Sequence, residues 1–398
     1  MRKMKRIILF AVIIAIFGGE SFSRPQYSIL QTYGTKCSSC HINVQGGGIR
    51  SIGGWLSRKD LSLINPQWIG LKKFFETLTA RNSYLDDKII IGFDLRAQSA
   101  RWPKGPSSSE REFMVMQASP YIAIQPVKWL LMEGFYNVAY ELEKDKRYPA
   151  QQPYAFSVYL KPSEKLPTLR LGYFQPPIGQ KWDDHTMFVR TAIARYGRHY
   201  IVPDDYAEWG AQIDYESISW LSLSAGVFSG KNLSVINVPD KYGKPIPIVK
   251  DNSIAVATRG MISPPELIKG VNSYVGGSFY LNNDYYISSA FLGIGLPDKV
   301  SLIGEYVRTQ KKDSRLSLSF TTELTYQLLE SVLPFVRVER SILKDKNENN
   351  PVYATNLVLG SHINLLPSLD LLIEYRILDR EHLEGYFSQW AFQLHLFY

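Results

Sequence analysis

From residue 86 to the C-terminus, apolar and polar residues alternate in one short segment after another, and this limits the available folds more than any other feature. In KIIIGFDLRAQSA, Ile89, Ile91, Phe93 and Leu95 fall on one side; in RLSLSFTTELTYQLL, Leu316, Leu318, Phe320, Leu324 and Tyr326 do the same. A period of two is that of a strand with one apolar face. Such segments are predicted near 87–101, 112–125, 128–142, 153–161, 167–175, 206–217, 219–229 and 252–261. They continue near 272–281, 284–294, 299–309, 315–329, 332–341, 352–363, 367–378 and 386–398. The count is about sixteen, and an even number of antiparallel strands is what a single-chain transmembrane barrel requires. A soluble β-sandwich is the competing reading of alternation alone.

The connections separate the two. If the chain enters the barrel from the periplasm, odd-numbered connections are outer loops and even-numbered ones are periplasmic turns. The odd ones include WPKGPSSSER, KDKRYPAQQ, the long stretches 176–205 and 230–251, LKDKNENNP and DREHLEG; the even ones include QPV, KPSEKLP, SI, GLPDK, ES and NLLPS. Length alternates with parity, as a barrel predicts. The final WAFQLHLFY alternates once more and ends on an aromatic residue, as terminal strands of outer-membrane proteins do. The 25 Tyr and 8 Trp suffice for two interfacial girdles.

The first residues predict export. MRKMKR is basic, IILFAVIIAIFGG is apolar, and Ser21 and Ser23 fit a cleavage site after Ser23, so 1–23 reads as a signal peptide. The formal charge of +8 falls to a mild excess without that segment, and acidic and basic residues are interleaved, which gives no stripe for nucleic acid. Residues 24–85 then form a separate, partly helical zone before the barrel of 86–398. In NPQWIGLKKFFETLTA, Asn65 is placed to cap a helix, Pro66 suits its first position, and Trp68, Leu71, Phe75 and Leu78 share a face.

That zone holds the chain's only two cysteines, in KCSSCH. C-x-x-C-H is the attachment signature of c-type haem: Cys37 and Cys40 would bond the porphyrin vinyl groups, and His41 would bind the iron from the proximal side. A zinc site would need a second ligand pair at short spacing, and a thioredoxin-like dithiol would need a βαβ frame; neither pattern is present. A disulfide is the remaining alternative. One covalent haem c is therefore expected.

The sixth iron ligand is not supplied by residues 42–85, which contain no histidine or methionine. The candidates are Met114, Met116 and Met132 on early strands, and His185, Met187 and His199 in the third outer loop. The loop sequence WDDHTMFVRTAIARYGRH, long enough to fold into the lumen, makes His185 the preferred ligand and Met187 its alternative. His362, His382 and His395 read as ordinary strand or loop residues.

A leader, one C-x-x-C-H near the mature N-terminus and a barrel in the rest of the chain resemble the fused monohaem cytochrome c–porins of the bacterial outer membrane. The iron-oxidising cytochrome-porins are the best-known branch. Cys37, Cys40 and His41 carry the match residue by residue; CSSCHINVQGGGIR and GYFQPPIGQKWDDHTMFVR are similar to segments of porin-like outer-membrane proteins. The chain shows no evident carboxylate cluster suited to iron, so the resemblance leaves the branch open, with an Fe(II)-oxidising cytochrome among the alternatives. It implies electron transfer across the outer membrane between an extracellular donor or acceptor and periplasmic cytochromes. Two other functions fit the same features: a transport porin with an attached haem carrier, and a five-coordinate haem enzyme or sensor.

Overall fold

In a computed structural model of the chain, the alternation resolves into sixteen antiparallel strands that close on themselves. The structure describes residues 36–46, 48–56, 61–103, 109–139, 153–163, 165–180, 187–193, 198–202, 206–234, 237–239, 245–247, 253–264, 268–312, 315–345, 350–381 and 386–398. The strands are β1 (Ile89–Pro103), β2 (Ser109–Val127), β3 (Leu130–Tyr136), β4 (Tyr154–Leu160), β5 (Thr168–Phe174), β6 (Glu208–Tyr215), β7 (Leu221–Phe228) and β8 (Ala255–Ile262). They continue as β9 (Asn272–Asn282), β10 (Tyr285–Leu296), β11 (Val300–Lys311), β12 (Arg315–Tyr326), β13 (Val332–Asp345), β14 (Val352–Leu366), β15 (Leu369–Arg380) and β16 (Tyr386–Phe397).

Each strand pairs with its sequence neighbours, and β16 returns to β1, with Leu396 opposite Leu95 and Phe397 opposite Asp94. Closure leaves no edge with unpaired backbone groups, the condition for crossing a bilayer in strands. No helix among the described residues is long and apolar enough to cross a membrane.

The period-two pattern sorts side chains by face. Along β12, Phe320 and Leu324 point outward, whereas Ser317, Ser319, Thr321, Glu323 and Thr325 are buried on the lumen side. Outward Val275, Phe279 and Leu281 on β9 and Leu292, Ile294 and Leu296 on β10 extend the apolar wall, with Val275 directly opposite Leu292. Exposed aromatics gather at both rims: Trp129 and Trp220 at the end where β1 starts, called inner below, and Tyr136, Tyr154, Trp209 and Tyr386 at the outer end. Aromatic girdles at both interfaces belong to membrane barrels.

Two connections depart from the length alternation. The outer β9–β10 link is a two-residue turn at Asn283 and Asp284, with Asn283 at φ 51°, and β11 and β12 are also joined closely. Asn and Asp tolerate positive φ, so this pair suits a tight hairpin. The predicted N-terminal helix is shorter than its pattern. Only Lys72–Leu78 is helical; Asn65 instead accepts from Gln67 N at 3.0 Å in a local turn, and Gly70 at φ 73° breaks the run. Phe75 is buried while Trp68 and Phe74 stay exposed.

The lumen is occupied. The β5–β6 connection folds inward, as its length suggests: Gly179 N donates to Ser278 Oγ at 2.8 Å, Gln180 N to Glu305 Oε1 at 2.9 Å and Phe188 N to Glu339 Oε2 at 2.9 Å. Glu339 belongs to a buried charge cluster in which Arg337 pairs with Glu339 at 2.7 Å, Glu374 at 3.2 Å and Glu323 at 3.4 Å.

Candidate functional site: the cysteine hairpin at the inner mouth

Cys37–Ser39 form a single 3₁₀ turn, closed by Cys40 N and His41 N donating to Cys37 O at 3.1 and 3.0 Å. The chain then doubles back: His41 bridges Arg50, Ile42 N donates to Ile49 O, and Ser51 N donates to Cys40 O at 3.0 Å. Ser51 caps α1 (Ile52–Leu56) by accepting from Gly54 N at 3.2 Å. The result is a hairpin and one helical turn wrapped around the two thiols.

This explains the glycines. Gly46, at φ 84°, turns back over the motif, and a Cβ there would lie 3.3 Å from Cys37 Cβ and 3.5 Å from its Sγ. A Cβ on Gly54 would come within 2.0 Å of Cys40 O, so only glycine lets α1 pack on the motif backbone.

The hairpin docks on lumen-facing side chains of the inner end. Lys36 Nζ donates to three carbonyls around the β6–β7 turn, Ile218 O at 2.8 Å, Leu221 O at 2.9 Å and Glu216 O at 3.3 Å. Across the mouth, Ile49 packs with Ile90, Tyr121 and Ala123; the Arg50 guanidinium covers the Phe397 ring at 4.4 Å; and Trp55 meets Tyr398 edge-on. Asn43 Oδ1 accepts from Arg170 Nη1 at 3.3 Å. The segment thus spans from the β6–β7 turn to the seam where β1 meets β16.

No disulfide joins Cys37 and Cys40. Burial pushes the Cys37 thiol above the ordinary cysteine range, with the Arg259 charge pulling partly the other way. A redox-active C-x-x-C dithiol has the opposite trait, a thiol lowered toward neutrality, so the environment argues against thiol–disulfide chemistry. In the unmodified polypeptide, alkylation of Cys37 is expected to need a more alkaline pH than an ordinary cysteine, measured by mass spectrometry. Among the described residues, no group of three or more His, Cys, Asp and Glu stands ready to hold a bare metal ion.

The structure brings Cys37, Cys40 and His41 together and separates them from the described part of the predicted distal loop. Met187 is buried in an outer-half cluster with Phe174, Ile178, Tyr280, Tyr285 and Ile287. The backbone of His199 pairs with Ala192 in a small hairpin of the same loop. His185 and His382 lie outside the described residues. Met116 is buried at a bulge in β2, Met114 lies opposite Gln98, and Met132 is exposed on β3.

Two histidines read as ordinary strand residues face the lumen near the motif. His395 Nε2 lies 2.7 Å from Asp94 Oδ1, and His362 Nδ1 lies 3.0 Å from Asp370 Oδ2. Asp370 stands opposite His395 in the β15–β16 ladder, so the four form an alternating row on adjacent strands. Their alternation with apolar neighbours in SHINLL and FQLHLFY was the sequence signal for the inward face.

No protein-family model matches the chain, and no curated protein matches its sequence. Its fold is similar to solved outer-membrane structures. The outer membrane channel DcaP of Acinetobacter baumannii superposes with a TM-score of 0.51 at 8% identity, covering 78% of this chain and 97% of DcaP. An anion-selective porin from Comamonas acidovorans gives 0.50 at 10%, covering 78% and 98%. A loop-deletion mutant of OmpT, an outer membrane protein of Vibrio cholerae, gives 0.50 at 10%, covering 78% and 99%. The chain has the porin-like fold of an outer-membrane barrel. At these identities the likeness speaks to fold alone.

Proposed function

We propose that the protein is an outer-membrane c-type cytochrome of porin fold. In this reading residues 1–23 direct export, 24–85 carry one covalent haem c on Cys37 and Cys40 with His41 on its iron, and 86–398 span the membrane. Electrons pass between an extracellular donor or acceptor and periplasmic cytochromes. The observation that carries the reading is the docking of the C-x-x-C-H hairpin on lumen-facing side chains of the barrel mouth. Two thiols and an adjacent imidazole are the donor set for haem c, and the glycine at position 46 keeps side-chain bulk away from the Cys37 sulfur. A covalently held haem supplies one-electron chemistry. The chain's own part is to fix the motif at the inner rim through Lys36 and Arg50 and to enclose it in the barrel wall.

A second reading is favoured by the neighbours. DcaP is described as a channel and the Comamonas protein as an anion-selective porin, so the comparisons support a transport porin more directly than electron transfer. The described lumen weighs the other way: Arg259, Glu323, Arg337, Glu339, Glu374 and Arg376 face inward yet are nearly inaccessible to water. Haem staining after denaturing electrophoresis, combined with conductance in a planar bilayer, separates the readings. Covalent haem with little conductance supports the conduit; open conductance without covalent haem supports the transport porin.

A further inference from the structure

The chain between the cysteine hairpin and the barrel is tied into the wall at both ends. At its start, Leu63 N donates to Asn364 O at 2.7 Å and Ile64 N to Leu365 O at 3.0 Å, at the inner end of β14. At its end, Ser83 and Tyr84 pair with Ile90 and Ile89 of β1, beyond the last β1–β16 pair of Asp94 with Phe397. The Tyr398 hydroxyl donates to Arg81 O and fixes this end beside the terminus of β16. Residues 61–84 thus form a strap along the inner rim from β14 to β1.

The same rim has a regular trait. Every inner turn from β2–β3 to β12–β13 exposes a large apolar side chain: Trp129, Leu166, Trp220, Ile268, Leu296 and Leu328 in chain order. The β14–β15 turn differs. None of Leu365, Leu366 and Leu369 is fully exposed there, and Pro367 and Ser368 are buried. The strap supplies apolar surface in this sector instead: Trp68 is 78% exposed, Phe74 is 59% exposed, and Ile69 and Leu71 are open between them.

The strap's one helix, α2 (Lys72–Leu78), is amphipathic. At 3.6 residues per turn, Leu71 and Phe74 share the apolar side with the buried Phe75, whereas Lys72, Lys73, Glu76 and Thr77 take the opposite side. Half of the apolar side is packed and half stays open. Lys72, which also meets Glu76 at 3.7 Å, and Lys73 border it with flexible cations.

We propose that Trp68, Ile69, Leu71 and Phe74 lie in the headgroup–acyl boundary of the inner leaflet and complete the apolar rim across β14–β16. The occupant is phospholipid because the open face continues the lipid-facing rim of the barrel at the one turn where that rim lapses. Trp, Phe and Leu on one side and Lys on the other are the composition of a helix lying in a membrane interface. Lysine stems reach from such a depth to the lipid phosphates. The proposal needs the outer-membrane barrel and not the haem reading.

The test uses the full-length protein in phosphatidylcholine–phosphatidylglycerol vesicles whose acyl chains carry bromine near the headgroup or near the methyl end. Trp68→Tyr removes one reporter at an open position, and heat-modifiable migration verifies that each variant keeps its barrel. Parent and variant carry the same haem complement, so the difference between their emissions reports Trp68. That component is expected to be blue-shifted, quenched more by shallow bromine than by deep bromine, and shielded from acrylamide. In the Trp68→Tyr background, Phe74→Trp is expected to restore a bromine-quenched component, and Glu76→Trp to add one that acrylamide quenches. A Trp68 component quenched by acrylamide and not by bromine overturns the proposal. So does shielding that appears only when a soluble c-type cytochrome is added, which assigns the face to a protein partner. Shielding that follows a concentration-dependent change of oligomeric state, without bromine quenching, assigns it to a second copy and overturns it equally.

Discussion

The two halves of the lumen are filled by different means. In the outer half, the β5–β6 loop packs apolar residues such as Ile178, Met187 and Val189 against the wall. It is anchored at mid-barrel by backbone donors to buried acceptors, among them Glu305 and Glu339. In the inner half, the filling is the segment before the barrel, gripped at its two edges by Lys36 and Arg50 and packed around thiols by glycine. The loop stands on a mid-barrel belt of buried charge that is costly to disturb, and the hairpin on local backbone geometry that only small residues permit. On the proposed haem c reading, stability and cofactor chemistry rest on different parts of the lumen, and substitutions should separate them.

The largest effect is expected from the Cys37→Ala, Cys40→Ala double variant. It should abolish covalent haem on a stained denaturing gel while the heat-modifiable migration of the barrel persists. Next is Arg337→Met, which leaves Glu323, Glu339 and Glu374 buried without their shared cation. Removing one partner from a buried charge network costs about 3–5 kcal/mol, read as a lowered midpoint in denaturant, with haem content unchanged. Gly54→Ala should do the reverse. Overpacking of about 1–3 kcal/mol against the Cys40 carbonyl should open the hairpin to protease and lower haem yield while the barrel midpoint holds. Lys36→Met removes three ammonium–carbonyl bonds at a partly exposed position. About 1 kcal/mol of docking is expected to be lost, visible as faster hydrogen exchange in residues 36–46.

Much of this fold was legible in the sequence because a barrel wall writes its two environments into alternate residues. All sixteen strands fall where the alternation predicts, within four residues at each end except that β3 stops at Tyr136 and not near 142. The barrel and its resemblance to outer-membrane porins follow. The cysteine motif was legible for a different reason: its chemistry needs adjacent residues. The side chains that receive the hairpin were not, because Ile90, Tyr121 and Phe397 come together from strands distant in sequence and no local spacing marks them. The length of the loop that carries His185 and Met187 predicts its insertion; Met187 packs in the outer cluster, and His185 lies outside the described residues. The pairing of His362 and His395 with carboxylates is hidden for the same reason, since Asp370 and Asp94 come from neighbouring strands. The apolar pattern predicts a helix over 65–80 because it continues through Gly70, whose positive φ confines the helix to Lys72–Leu78.

The central claim is most directly tested by electron transfer across a membrane. Liposomes carrying the holoprotein in one orientation, with an oxidised c-type cytochrome enclosed, would receive an impermeant reductant outside, and reduction of the enclosed cytochrome would be followed optically. The account predicts reduction that requires the parent protein and is lost in the Cys37→Ala, Cys40→Ala variant. Equal reduction rates with the variant, or none with a parent protein that carries its haem, would contradict it.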